Sequence, residues 1–215
     1  MWTYAPPTEP WLSVLHHDRD LFVLDKPSGL LSVPGRDPAH HDSAYARVLA
    51  AHSLAQSVHR LDMDTSGVLV FALRRKAERA LHAQFREGKV DKTYIARVAG
   101  HVAEDRGGID LALTREVGVP RSRVDPAGKP ARTRFRVLSR DPDGTTRLAL
   151  TPLTGRSHQL RVHLLAYGHP ILGDRFYAPD AVRDAAPRLC LHAWRLSLDQ
   201  PYSGQRLRFE APAPF

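Results

Sequence analysis

Hydrophobic and polar positions along the 215-residue chain fall into a two-residue and a helical period, and the period predicts the element. Residues 21–24 (LFVL) form a short apolar run read as a strand. Residues 67–73 (GVLVFAL) are apolar without interruption, which predicts a strand buried on both faces. Residues 92–98 (KTYIARV) and 131–138 (ARTRFRVL) alternate, and the second places Arg132, Arg134 and Arg136 on one face. Residues 107–113 and 147–153 read as further strands, and 190–198 with 205–210 as a closing hairpin turning at 202–204. Helical spacing marks 75–87, with Ala77, Leu81 and Phe85 on one stripe and Gly88 at its stop. Asp42 stands where it would cap a helix through Tyr45, Val48 and Leu49. Residues 157–167 fit either period; a capping Ser157 and a terminal Gly168 favour a helix. The pattern predicts a mixed α/β chain rich in strands, with no internal repeat and no dividing linker.

Composition narrows the class. An apolar share of 42% and a charged share of 25% are those of a folded globular chain. A lone cysteine, Cys190, builds neither a disulfide framework nor a thiolate zinc site. The proline-rich residues 1–11 lack the basic start and apolar run of a signal peptide, and 67–73 is too short to span a bilayer, so the chain reads as cytoplasmic with no membrane contact. The net charge is +8, and only five of the 31 basic residues are lysines. Arginine's planar fork suits phosphate and base edges, which makes nucleic acid the leading partner. Codon bias toward Arg and Ala is the competing explanation. The charge is local, however: residues 74–97 carry eight basic against three acidic side chains, and 115–140 eight against two.

Two polar runs hold the candidate chemistry. Residues 59–67 (HRLDMDTSG) lie directly before the buried strand, where a loop is well held. By residue type alone they fit a turn in which Asp, Thr and Ser bond local amides, as well as a site built on Asp62 or Asp64. In 155–163 (GRSHQLRVH), Arg161 sits in apolar company and needs a carboxylate partner, for which Asp62 or Asp64 is available. Such a pair serves either to keep a carboxylate ionised for nucleophilic work or as a structural clasp. Tyr94 is a third candidate, with core packing as its alternative role. The twelve histidines show no metal-ligand spacing, and no phosphate-cradling glycine loop is present.

Taken together, these runs resemble the RluA-type pseudouridine synthases. Residues 59–67 look like the family's catalytic signature, 92–96 (KTYIA) like its second motif, and 155–177 (GRSHQLRVHLLAYGHPILGDRFY) like its third. Residues 191–214 fit its closing stretch, and 27–36 (PSGLLSVPGR) narrow the likeness to the branch of dual specificity. The resemblance implies one catalytic domain over residues 1–215, with no S4 RNA-binding domain. The implied fold is α/β (α+β type): a long, bent, mixed, mostly antiparallel sheet with flanking helices and loops. It implies isomerisation of loop uridines in RNA, namely in the tRNA anticodon stem-loop and a large-subunit rRNA hairpin, by a monomer that needs no cofactor and no metal. By matching position, Asp62 is the nucleophile and Arg161 pairs with it and keeps it ionised. Tyr94 packs on the flipped base, Leu160 floors the ring, and Arg60 enters the RNA to hold the nucleotide out. His59 is placed with the substrate-binding residues of the loop, which Thr65, Ser66 and Gly67 shape. Asp64 occupies a variable position and receives no role. Competing readings are a single-target relative, a catalytically silent RNA-binding protein on the same fold, and a carboxylate-dependent hydrolase of glycosidic bonds.

Overall fold

The computed structural model describes residues 4–215. In chain order the first half holds β1 (Val14–His17), β2 (Leu21–Lys26), α1 (Ala44–Ala51), β3 (Gln56–Ser57), β4 (Ser66–Ala72), α2 (Arg75–Arg86), β5 (Asp91–Ala99) and β6 (Arg106–Asp110). The second half holds β7 (Leu113–Arg115), β8 (Ser122–Val124), β9 (Arg132–Arg140), β10 (Thr145–Pro152), α3 (Gln159–Ala166), α4 (Asp180–Arg183), β11 (Leu191–Asp199) and β12 (Arg206–Glu210). The fold class is mixed α/β with a dominant, mostly antiparallel sheet. The chain divides into two compact units: the chain up to Lys92 with Ala193–Pro214, and Thr93–His192 with Phe215. No helix among the described residues is long and apolar enough to cross a membrane.

In the first unit the strands run β1-β2-β4-β11, with β3 also on β4 and β12 on β11. The apolar run becomes β4, and all seven of its residues are buried. It pairs antiparallel with β2 from Leu21↔Ala72 to Lys26↔Gly67. Ala77 and Leu81 of α2 close over Leu21, Val23, Val68 and Val70. Each buried leucine or valine contributes roughly 2 kcal/mol relative to exposure. The helix stops at Gly88, whose φ of +70° suits a residue without a Cβ. Helix α1 is capped by Ser43, whose hydroxyl accepts from the Ala46 amide at 3.1 Å, and not by Asp42. Asp42 instead grips the buried Arg47 through Nε at 2.8 Å and through a terminal nitrogen at 2.7 Å.

In the second unit β5, β10, β9 and β6 pair in that order, all antiparallel, so only β9 and β10 are neighbours both in space and in sequence. Strand β9 alternates as its sequence demands: Thr133 and Phe135 point inward and Arg132, Arg134 and Arg136 outward. The core gathers Ala96, Val98, Phe135, Leu148 and Leu150 against Leu160 and Leu164 of α3. The predicted strand at 107–113 is two elements: β6 ends at Asp110, and Leu113 begins a separate two-stranded ribbon with β8. The segment 157–167 is helical from Gln159 to Ala166, with Gly168 beyond it at a φ of +88°, but its N-cap is His158 with no side-chain cap bond and not the expected Ser157.

Candidate active site

Asp62 lies in the first unit on the loop that enters β4, and it is half-buried. The loop turns tightly, with the Thr65 amide donating to the Asp62 carbonyl at 3.1 Å. What holds it is the segment after β2. The ammonium of Lys26, fully buried, donates to the carbonyls of Pro27 (2.8 Å), Leu30 (2.6 Å) and Met63 (2.9 Å). Ser28 donates to the Asp64 carbonyl at 2.7 Å, and the Gly29 amide to the Met63 carbonyl at 3.0 Å. Ser32 binds Leu61 twice: its hydroxyl donates to the carbonyl at 2.7 Å and accepts from the amide at 3.0 Å. Four side chains and backbone groups thus fix the residues on both sides of Asp62, which is what a preorganised catalytic group requires.

The loop joins β4 at Gly67, where φ is +110° and a Cβ would lie 2.2 Å from the Ala193 carbonyl oxygen. Only glycine meets both conditions. His59 is drawn into the fold: its Nε2 accepts from the Val70 amide at 2.9 Å and its ring stacks on Phe85, with centroids 4.8 Å apart. Burial and the nearby Lys92 ammonium push its pKa down to about 3. The imidazole is therefore neutral, with the remaining proton on Nδ1, because Nε2 is an acceptor. Burial likewise lowers the pKa of Lys92. Arg60, between His59 and the turn, is exposed.

Tyr94, Leu160 and Arg161 lie in the second unit. Tyr94 sits on β5 opposite Leu150 and packs, half-buried, on the apolar cluster that contains Leu160. Arg161 is 2% exposed on α3. Its guanidinium meets Asp174 side by side, Nε to Oδ2 at 2.8 Å and a terminal nitrogen to Oδ1 at 2.6 Å. Asp174 Oδ1 also accepts from the amides of Phe176 (2.9 Å) and Tyr177 (3.2 Å). The rings of Phe176 and Tyr177 each lie 5.1 Å from the guanidinium carbon. The helix is seated by polar anchors as well. Gln159 bonds Thr133 and the Arg132 carbonyl, and His163 bridges Thr133 and the Leu111 carbonyl. His158 opens α3 at a φ of 55°, and its Nδ1 meets the Tyr177 hydroxyl at 2.7 Å.

The first unit therefore brings together His59, Arg60 and Asp62, and the second Tyr94, Leu160 and Arg161. Three contributors are not evident from the sequence reading. Asp174 is a carboxylate for Arg161 beyond the two considered, although GDRFY belongs to the run that carries Arg161. Lys26 and Ser32 flank or belong to a run marked only by resemblance; a lysine closing an apolar strand just before Pro-Ser-Gly is the available signal.

Known proteins share both the sequence and the fold. A family model described as RNA pseudouridylate synthase matches residues 20–166. The dual-specificity RNA pseudouridine synthase RluA of Escherichia coli strain K12 is 52% identical, with 100% of this chain and 99% of that protein covered. The enzyme of the same name from Pasteurella multocida is 50% identical, with 99% of this chain and 98% of that protein covered. Among solved structures, human RNA pseudouridylate synthase domain containing 1 aligns with a TM-score of 0.79 at 31% identity, covering 95% of this chain and 84% of that one.

Proposed function

The chain belongs to the RNA pseudouridylate synthase family and is an isomerase acting on RNA; from this we propose that it is a dual-specificity enzyme, modifying one uridine in a tRNA anticodon loop and one in a large-subunit rRNA hairpin. The observation that carries the reading is the 50–52% identity, over essentially the whole chain, to proteins named dual-specificity RNA pseudouridine synthases. The reaction breaks the N1–C1′ bond, turns the uracil and joins C5 to C1′. N1 gains a proton and C5 loses one, so no atom enters or leaves apart from exchange with water. A carboxylate that acts covalently divides this exchange into easier steps.

Asp62 takes that role, supported by the bonds that fix Leu61, Met63 and Asp64 around it. Arg161 supplies the positive charge that favours an ionised carboxylate. Tyr94 packs on the base and Leu160 floors it. Arg60, exposed beside the turn, holds the nucleotide out of its stack, which costs only a few kcal/mol in a loop. His59 serves the substrate by keeping the loop in place. One chain carries every residue assigned here, which suits a monomer acting in the cytoplasm, where tRNA and rRNA are found.

Tritium release from C5-labelled uridine tests the reading. Release is expected from both a tRNA anticodon stem-loop and an rRNA hairpin fragment. Release from one alone makes the enzyme a single-target relative. Tight binding without release makes it a silent RNA-binding protein, and free uracil makes it a hydrolase. Asp62→Asn is expected to abolish release while RNA affinity stays within a few-fold of wild type. An active Asp62→Asn beside an inactive Asp64→Asn would move the nucleophile.

A further inference from the structure

The proposed function needs a grip on RNA backbone, and it leaves open which of the many arginines provide it. Strand register separates them. On the outward face of β9, Arg132, Arg134 and Arg136 stand two residues apart, all exposed. Strand β6 pairs along one side and sets Arg106 opposite Arg136, Gly108 opposite Arg134, and Asp110 opposite Arg132. Strand β10 pairs along the other and sets Ala149 beside Arg136 and Thr151 beside Arg134.

The consequences differ from position to position. Arg132 is already neutralised, its Nε 2.8 Å from the Asp110 carboxylate. Arg140, further along the strand, is held by Asp105 at 2.9 Å. Arg106, Arg134 and Arg136 form no ion pair among the described residues. Arg106 and Arg136 are like charges directly opposite, with Cβ atoms about 5 Å apart, an arrangement that destabilises a sheet unless an anion sits between them. Arg134 has a glycine on one side and a short threonine on the other, so no bulky side chain crowds it from the neighbouring strands.

We infer that Arg106, Arg134 and Arg136 form a phosphate-binding cradle for the backbone of the RNA substrate, and that Arg132 and Arg140 do not belong to it. The inference rests on the chain acting on RNA. Arginine forks suit this task, since each offers paired donors to phosphate oxygens. The positions paired with Arg134 are small (Gly108 on β6, Thr151 on β10), so neither neighbouring strand puts a bulky side chain beside its guanidinium.

The test is salt-dependent binding of bulk tRNA to the full-length protein, with log Kobs followed against log salt. Arg106→Gln, Arg134→Gln and Arg136→Gln are each expected to weaken binding several-fold at low salt. Each is expected to lower the slope by about 0.7 to 1 unit, as the removal of one phosphate-neutralising charge does. Arg132→Gln and Arg140→Gln are expected to leave the slope unchanged. In the absence of RNA, Arg136→Gln is expected to hold or raise the melting temperature at low salt, because it relieves the Arg106 repulsion.

Unchanged slopes in the three variants would overturn the cradle, as would an equal effect from Arg132→Gln. Self-association of the variants with an unchanged slope would also overturn it, and would make the arginines guards of the β6 sheet edge. Tritium release by the wild type, measured alongside, separates the two levels. Release with unchanged slopes defeats the cradle alone, and no release defeats the functional reading beneath it.

Discussion

Arg161 and Asp174 are 2% and 1% exposed, so each is a buried charge whose cost the other helps to offset. Asp174→Asn keeps the shape and most of the hydrogen bonds to the Phe176 and Tyr177 amides, yet it leaves the guanidinium without its buried counter-charge. We expect it to cost about 3 kcal/mol in denaturant unfolding, near the lower end of what a broken buried pair costs. A change below about 1 kcal/mol would mean that Arg161 is balanced elsewhere. His59 makes the opposite kind of residue, a base kept neutral. Its folded pKa is lowered to about 3, against about 6.5 in an unfolded chain. The unfolded chain therefore binds the extra proton first. The stability contributed by neutral His59 is complete above about pH 6.5 and drains away as pH falls toward 3. Burial lowers the pKa of His163 too, with the same sign. Denaturation midpoints should fall between pH 6 and pH 4, with less slope in His59→Gln. A flat profile in the wild type would mean that His59 titrates normally.

Elements differ in how far they were legible from sequence. Strand β4 was plain because seven consecutive buried residues leave no polar face to interrupt the run. Strand β9 was plain because its inward and outward residues alternate cleanly up to Arg136. The start of α1 was not, since Asp42 and Ser43 are both capping residues and only the fold decides which side chain is free. Arg47, buried against the Trp11 ring at 3.9 Å, claims Asp42, and Ser43 is left to cap. Ser43→Ala should therefore lower stability by about 1 kcal/mol through the missing cap. Asp42→Asn should act through Arg47 instead, and a double substitution should be close to additive if the two roles are separate. The ribbon β7–β8 was illegible because three-residue strands carry too short a pattern to show a period. The clamp on the Asp62 loop was hidden for another reason. Lys26 acts on carbonyls, and backbone acceptors leave no trace in residue types.

At the scale of the molecule, the excess positive charge proves to be of several kinds. Some arginines are structural and buried, as Arg47 and Arg161 are; some are matched to surface carboxylates, as Arg132, Arg140 and Arg206 are. Those left over are what a polyanion can use. The sequence showed where charge was dense, and only strand pairing showed which charges were uncommitted.

The close approach of Gly67 to Ala193 also orders events in time. The unit that carries Asp62 is written in two pieces, the chain up to Lys92 and Ala193–Pro214. A ribosome delivers the first piece about 100 residues before the second, a wait of roughly 5 to 20 s at ordinary bacterial synthesis rates. Throughout that interval β4 lacks its β11 neighbour, and an apolar strand edge stands open in the cell. Ribosome-stalled chains that have not yet exposed β11 should be cut readily near residues 66–72, and chains released at full length should resist. Equal resistance in both would show that the first piece folds alone. The loop that carries Asp62 can thus be clamped by residues 26–32 early, while the strand it leads into waits for its last neighbour.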